Sequence, residues 1–263
     1  MKQSALFFDI DGTILSEITK KIPDSALAAM SKAKENGHRM YINTGRTYCN
    51  IPAELRRFDF DGYLCGCGSY LVCRDEVVLE SHIGMKRGQD IIDKMYECRL
   101  DGILEGTQDA YFPAGISRFE KLESSRRYFK LKGLGMEKYI QNGGLTYDKL
   151  FVYADGLSDK ETFFEFVSED MEVIARGDNA YEIAQKEYSK ATACEFIRRK
   201  LNLTLEEIYV FGDSGNDLPM FEYAVHTVAM GEHAEILEPY TEFVTKKVEE
   251  DGIAYAMEHY GLI

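Results

Sequence analysis

Two aspartates, Asp9 and Asp11, stand one residue apart at the end of the apolar run ALFFDIDGTIL (residues 5–15). Carboxylates beside Phe7 and Phe8 are unfavourable unless a cation compensates them. Three further chemically distinctive positions lie along the chain: Thr44 and Gly45 in NTGR (43–46), Lys190 in YSKATA, and Asp213 in GDSGNDLPM (212–220). The acids and Thr44-Gly45 fall at the predicted carboxyl ends of strands, where open parallel sheets bind ligands, and Lys190 opens the helix feeding the strand before Asp213. If those strands are parallel neighbours, three carboxylates, a hydroxyl and an ammonium share one pocket.

That inventory suits phosphoryl transfer. Oxygen ligands from Asp9 and Asp213 suit Mg²⁺, a hard cation that uses one or two carboxylates and keeps several waters. The ion and Lys190 would neutralise a bound phosphate, while Thr44 and backbone N–H groups hold its remaining oxygens. Asp9 can then attack phosphorus in line and form an aspartyl-phosphate. Asp11, expected about 6–7 Å further along an extended strand and on the same face, can protonate the leaving oxygen and later deprotonate water. Gly12 permits a sharp turn after the acids.

The elements that must position these groups follow an alternating rhythm. SALFFDI and HRMYINTG read as buried parallel strands, with a helix over PDSALAAMSKAKENG between them. TYCNIPAELRRF reads as a second helix, and DGYLCGCGSYLV as a third strand opening a hairpin that continues in EVVLESHI. From about Gly84 the rhythm changes. A helix in GQDIIDKMYECRL precedes the short strands DGILEG and DAYFP, a charged, tyrosine-rich middle, strand DKLFVYAD, helix SDKETFFEFVSED, and strands MEVIAR and AYEIAQ. The first rhythm then returns through KATACEFIRRKL, EEIYVFGD, NDLPMFEYA, HTVAM, a short helix, EFVT and EDGIAYAMEHY. The expected fold is α/β: a doubly wound parallel, Rossmann-like core from residues 1–83 and 187–263, with an α+β domain inserted at 84–186.

Composition narrows the partners. The chain has 263 residues and a formal charge of −14, which argues against nucleic acid because phosphate backbones would be repelled over most of the surface. No apolar run approaches the roughly 18–20 residues that span a bilayer, and Asp9 interrupts the N-terminal run too early for a signal peptide. A cytoplasmic protein acting on a small phosphorylated metabolite, as a monomer or weak homodimer, is the plain expectation. The six cysteines include a CGC at 65–67, but no second pair or histidine completes a zinc-site spacing, so they read as reduced core thiols.

DIDGTIL, NTGR, Lys190 and GDSGNDLPM resemble, in order, the four motifs of the haloacid dehalogenase-like phosphatases, and GDSGND with the inserted domain resembles the Cof-like branch with its type-2 cap. The resemblance covers about 1–80 and 182–263. It implies Asp9 as nucleophile and metal ligand, and Asp11 as general acid/base whose backbone carbonyl also binds metal. It further implies Thr44, Gly45 and Lys190 on the phosphoryl group with Asn216 nearby, Asp213 as direct Mg²⁺ ligand, and Asp217 on a metal-bound water. Ala191 follows Lys190 where family members often have glycine, and Lys186 stands four residues earlier as an alternative. The resemblance also implies sugar phosphates, or a vitamin ester such as pyridoxal phosphate, as substrates, with the cap reading the leaving group.

Each motif has a plainer reading: an Asp-x-Asp-Gly turn, a Thr-Gly turn, a helix cap at NDLP, a solvated lysine. Their order and placement together favour the phosphotransfer site. Arg46 is open between touching substrate and pairing with a carboxylate. His82, His226 and His233 read as structural or solvated, and YFPAGISRF as packing. GDSG also matches the nucleophile segment of chymotrypsin-like proteases, but the chain lacks the all-β, upstream His/Asp context. The competing functions are a phosphosugar mutase, which would need a sugar bisphosphate activator, and a non-enzymic receiver-like or retired phosphate-binding protein.

Overall fold

A computed structural model describes residues 3–263 of the chain, which divides into two units. The first runs up to Gly45 and includes Pro52–Leu79 and Tyr188–Ile263; the second comprises Arg46–Ile51 and Glu80–Glu187.

In the first unit an eight-stranded sheet is centred on β1 (Ala5–Phe8). To one side lie β2 (Arg39–Asn43), β3 (Gly62–Cys65), β4 (Tyr70–Cys73) and β5 (Glu76–Glu80). To the other lie β11 (Ile208–Gly212), β12 (His226–Ala229) and β13 (Phe243–Val244). Strands β13 through β3 run parallel, and β4 turns back antiparallel on β3. All four residues of β1 are buried. They alternate between faces, Phe7 stacking on its register partner Tyr41 and Phe8 on Phe211. Helices α5 (Lys190–Lys200) and α6 (Leu218–Tyr223) supply Ala193, Cys194, Ile197, Met220 and Phe221 to the cluster on the Phe7 face. Helices α1 (Asp24–Glu35) and α7 (Gly252–His259) pack on each other outside that cluster. Successive connections leave β1 toward β2, whereas β11 lies on its other flank. Such a switch in strand order opens a crevice at the carboxyl ends of β1, β2 and β11.

The second helix expected over 47–58 does not form. Two 3₁₀ turns, Tyr48–Asn50 and Leu55–Arg57, stand in its place, with Ile51 extended at φ −65°, ψ 127°. Pro52 is the reason, since its ring excludes the helical conformation from the preceding residue and it has no N–H to donate.

The second unit is a five-stranded sheet in the order β7 (Ala110–Tyr111), β6 (Asp101–Glu105), β8 (Lys149–Tyr153), β10 (Ala180–Gln185), β9 (Met171–Ala175), with every neighbouring pair antiparallel. Helices α2 (Met85–Glu97) and α4 (Lys160–Val167) cover one face through Ile91, Ile92, Met95, Phe163 and Val167. The charged middle of the sequence contains a further helix, α3 (Glu120–Leu131), which buries Leu122 and Phe129 against Ile103 and Tyr153 on the other face.

Among the described residues no helix is long and apolar enough to cross a membrane. None of the six cysteines is in a disulfide, and the metal-competent group among the described residues consists of aspartates.

Candidate active site

The chain leaves β1 at Asp9, whose N–H still donates to the Phe211 carbonyl at 3.0 Å. It then turns at once. The N–H groups of Ile14 and Leu15 both donate to the Ile10 carbonyl, and Asp11 bridges to Leu15. Asp11 therefore sits in a tight loop, not two residues along an extended strand as the sequence suggested. Gly12, at φ +74°, makes the loop possible. Thr13 Oγ1 donates to Asp213 Oδ1 at 2.7 Å and ties this loop to the end of β11.

Asp9, Asp213 and Asp217 each bring a carboxylate oxygen to within 4.8 Å of the others. Asp9 and Asp217 are buried and Asp213 half-buried. The Asp11 carboxylate is not part of this trio. Lys190, 1% exposed, opens α5 and places Nζ 2.7 Å from Asp9 Oδ1 and 2.5 Å from Asp217 Oδ1. A capping box between Ser189 and Thr192 fixes that helix start. Asp217 spends its second oxygen on backbone: Oδ2 accepts from the N–H groups of Asp213 and Ser214 at 3.0 and 2.9 Å. It thereby holds the loop carrying Asp213 as well as the ammonium.

The charges are unbalanced. Burial pushes the Asp9 carboxyl up to about 6, with Lys190 opposing the rise and Asp217 adding to it. Burial, reinforced by the charges of Asp9 and Asp217, pushes Asp213 up to about 8. Burial disfavours the Lys190 charge, but Asp217 and Asp9 outweigh it and raise its pKa. With all three carboxylates ionised, one ammonium would leave two negative charges uncompensated, which is why burial and mutual repulsion raise Asp9 and Asp213, and the donors are hard oxygens. That set fits a divalent cation.

The remaining expected residues are placed as follows. Thr44, buried, directly follows β2 with its N–H donating to the Leu64 carbonyl at 2.8 Å, and Gly45 follows in the same unit. Asn216 is half-buried and accepts from Ser214 Oγ at 2.7 Å. Lys186 lies in the second unit, where its ammonium donates to the Ser168 carbonyl; of the two lysines, Lys190 is the one beside Asp9. Arg46 also belongs to the second unit, donating to the Asn50 carbonyl at 3.1 Å and the Tyr128 hydroxyl at 3.0 Å. His82 lies 2.5 Å from Asp148 and 2.8 Å from Glu80, His226 is 2.9 Å from Glu242, and His233 meets the Met230 carbonyl.

Sequence reasoning missed Asn43. Fully buried, it donates from Nδ2 to the Lys190 carbonyl at 2.9 Å and to Cys194 Sγ at 3.3 Å, pinning the start of α5 to the end of β2. A buried amide directly before Thr44 was the available signal. The glycines of GCGS also gain a purpose. Gly68, at φ +96°, approaches α5 so closely that a Cβ would lie 2.4 Å from the Ser189 carbonyl oxygen.

The family model of haloacid dehalogenase-like hydrolases matches residues 6–257. This chain belongs to that family. It is a haloacid dehalogenase-like phosphatase of the Cof-like kind, a hydrolase of phosphoric monoesters. Over 97% of its length it is 30% identical to the 5-amino-6-(5-phospho-D-ribitylamino)uracil phosphatase YcsE of Bacillus subtilis, covering 94% of that protein. It is 28% identical to a longer Streptococcus pyogenes protein, of which it spans 55%. The solved structure of the HAD subclass IIB sugar phosphatase BT4131 superposes with a TM-score of 0.82 at 26% identity, 99% of this chain matching 100% of that one. Phosphatases of this family generally use a divalent metal, and this chain brings together an acidic cluster of Asp9, Asp213 and Asp217.

Proposed function

We propose that this phosphatase hydrolyses the phosphate ester of a small hydroxylated metabolite, a sugar phosphate or its like, through an aspartyl-phosphate on Asp9 and with Mg²⁺ as cofactor. The observation that carries the reading is the meeting of Asp9, Asp213 and Asp217 within 4.8 Å around the Lys190 ammonium. Asp9, Asp213 and the Asp11 carbonyl would hold the ion, with Asp217 on a water bound to it. Mg²⁺ bound there supplies positive charge that neutralises phosphoryl oxygens.

The chain's own residues perform the rest. An Asp9 carboxylate oxygen attacks phosphorus and forms the acyl phosphate as the bond from phosphorus to the ester oxygen breaks. Asp11 gives its proton to that leaving oxygen. The resulting Asp11 carboxylate takes a proton from water, which attacks the acyl phosphate, releases inorganic phosphate and restores Asp9. Thr44, Gly45, Lys190 and Asn216 hold the phosphoryl oxygens in line. The inserted unit, expected at 84–186, acts as a cap that reads the organic group. The likeness to a ribitylaminouracil phosphatase and to a sugar phosphatase supports a substrate with a hydroxylated carbon chain.

The test is release of inorganic phosphate from a panel of sugar, sugar-alcohol and cofactor phosphates, with Mg²⁺ and with EDTA. Release that requires Mg²⁺ and disappears in Asp9→Asn supports the reading. A flat panel removes it.

A further inference from the structure

The turn that carries Asp11 is braced from a part of the chain outside all four motifs. Leu15 closes that turn: its carbonyl accepts from the Gly12 N–H at 3.0 Å, and it bridges to Asp11. Ser16 follows at once and is 1% exposed. Its hydroxyl oxygen accepts from the N–H groups of Ile18 and Thr19 at 3.1 and 2.8 Å, and its own N–H donates to the Lys21 carbonyl at 3.0 Å. One residue thus closes the exposed loop 17–21 onto the end of the Asp11 turn. The hydroxyl has a single proton to give, and it donates it to Glu249 Oε1. That contact spans 233 positions of sequence, so no local turn requires it.

Glu249 stands on a firm base, the 3₁₀ turn Val248–Glu250 after β13. Thr245 Oγ1 donates to the Gly252 carbonyl at 2.6 Å and the Gly252 N–H to the Lys247 carbonyl at 3.1 Å, so this loop is bonded across its own mouth. The Lys246 carbonyl accepts from the Gly231 N–H at 3.0 Å. Near Gly231, the Met230 N–H donates to the Gly212 carbonyl at 3.0 Å and the Ala234 N–H to the Asp213 carbonyl at 2.7 Å. The Glu249 loop is therefore tied through backbone to the loop of Asp213, and through its side chain to the turn of Asp11. Gly12, Ile18, Asp213 and Glu249 line one cavity of about 90 Å³. All of these residues belong to the first unit.

We propose that Glu249 is a positioning residue: through Ser16 it holds the Asp11 turn so that the Asp11 carboxyl meets the leaving oxygen of the ester. This rests on the reading of Asp11 as general acid. Without the acceptor, Ser16 and Leu15 are free to shift, and the proton donor shifts with them. Asp9 is held separately, by its own N–H bond to the Phe211 carbonyl in β11, and keeps its place. The loss therefore falls on protonation of the leaving group and not on attack at phosphorus.

The experiment compares kcat/KM, which spans the steps up to cleavage of the ester bond, for two kinds of ester. One is 4-nitrophenyl phosphate, whose phenolate leaves without a proton. The other is an alkyl ester, whose alkoxide needs one: whichever of sorbitol 6-phosphate, glucose 6-phosphate and glycerol 3-phosphate the unaltered chain hydrolyses fastest. Glu249→Ala should lower kcat/KM for the alkyl ester by about tenfold, a fraction of what a general acid supplies, and for the nitrophenyl ester by less than about twofold. Glu249→Gln, whose amide oxygen still accepts from the hydroxyl, should restore both. Equal losses on the two esters, as a merely structural role would give, overturn the inference. So do no loss on either and a Glu249→Gln as impaired as Glu249→Ala. If Glu249→Ala does not fold, Ser16→Ala, which removes the other end of the bond, provides the same comparison. Asp11→Asn separates this inference from the reading beneath it. A selective loss there with none in Glu249→Ala removes Glu249 alone, whereas equal losses in Asp11→Asn remove Asp11 as the acid and Glu249 with it. Inactivity of the unaltered chain on every ester would fell the phosphatase reading, and this inference too.

Discussion

Gly12 and Asp213 stand so close that a Cβ on Gly12 would lie 2.4 Å from Asp213 Oδ2. The glycine also occupies φ +74°, which costs other residues about 1–2 kcal/mol. Gly12→Ala therefore displaces the Asp213 carboxylate and strains the loop that carries Asp11. We expect modest destabilisation and a loss of activity on the order of a hundredfold, since misplacements of about 1 Å can have that effect. Steady-state kinetics alongside thermal melts check this. A variant with full activity would mean that the loop tolerates a side chain and that Asp213 need not stay where it is.

Asp9 and Asp217 share one ammonium, yet their removal has different consequences. Asp9→Asn leaves Lys190 paired with Asp217 at 2.5 Å, so the fold persists while turnover is lost. Asp217→Asn takes the anion from a fully buried pair and weakens the clamp on the Asp213 and Ser214 N–H groups. Breaking a buried pair of this kind costs about 3–5 kcal/mol. Urea unfolding separates the two variants. Equal stability for both would show that Asp217 is not the structural anchor described above.

Much of this arrangement was legible in the sequence because parallel strands deliver their carboxyl ends to one edge. Apolar runs ending in Asp9 and Asp213 were enough to expect their carboxylates at one end of the sheet, where they lie within 4.8 Å of each other. The helix drawn over 47–58 failed because helical spacing outweighed Pro52, which dictates the conformation of Ile51. Helix α3 escaped notice for the opposite reason. It buries only Leu122 and Phe129, seven residues apart among charges, too sparse a stripe to register. Asn43 and Thr13 act through partners 147 and 200 residues away in the chain, and no local pattern encodes such contacts. The pairing of Lys190 with Asp217 was hidden in the same way. The family resemblance implied phosphate for one and a metal-bound water for the other, but not their pairing with each other.

The charge imbalance at the site makes a claim about metal removal. Three carboxylates within 4.8 Å repel one another, and Lys190 compensates only one of them. A divalent cation that binds the folded state should stabilise it by mass action, by about 2.7 kcal/mol at a hundred times its dissociation constant. Thermal melts with millimolar Mg²⁺ should accordingly lie several degrees above melts in EDTA. Asp213→Ala should shrink that difference. An identical Mg²⁺ response in Asp213→Ala would assign the ion to other ligands.

The second unit makes a separate claim about pH. His82 Nδ1 lies 2.5 Å from Asp148 Oδ1 and Nε2 lies 2.8 Å from Glu80 Oε1. Burial disfavours the charged ring, but the two carboxylates outweigh it and raise the His82 pKa above its ordinary value of 6.5. A raised pKa means that the folded chain binds this proton more tightly than the unfolded one. The stabilisation is therefore fully present below about pH 6.5 and is lost as pH rises through the folded value. Asp148 reinforces the need for a partner, since its carboxyl is buried and pushed upward, with Thr107 Oγ1 donating to its other oxygen at 3.0 Å. His82→Gln should lower the melting temperature more at pH 5.5 than at pH 9, leaving at high pH only the loss of a neutral hydrogen bond. Melts of the variant and the unaltered chain across that range check the sign, and a deficit that does not change with pH would mean that His82 is uncharged in the folded protein.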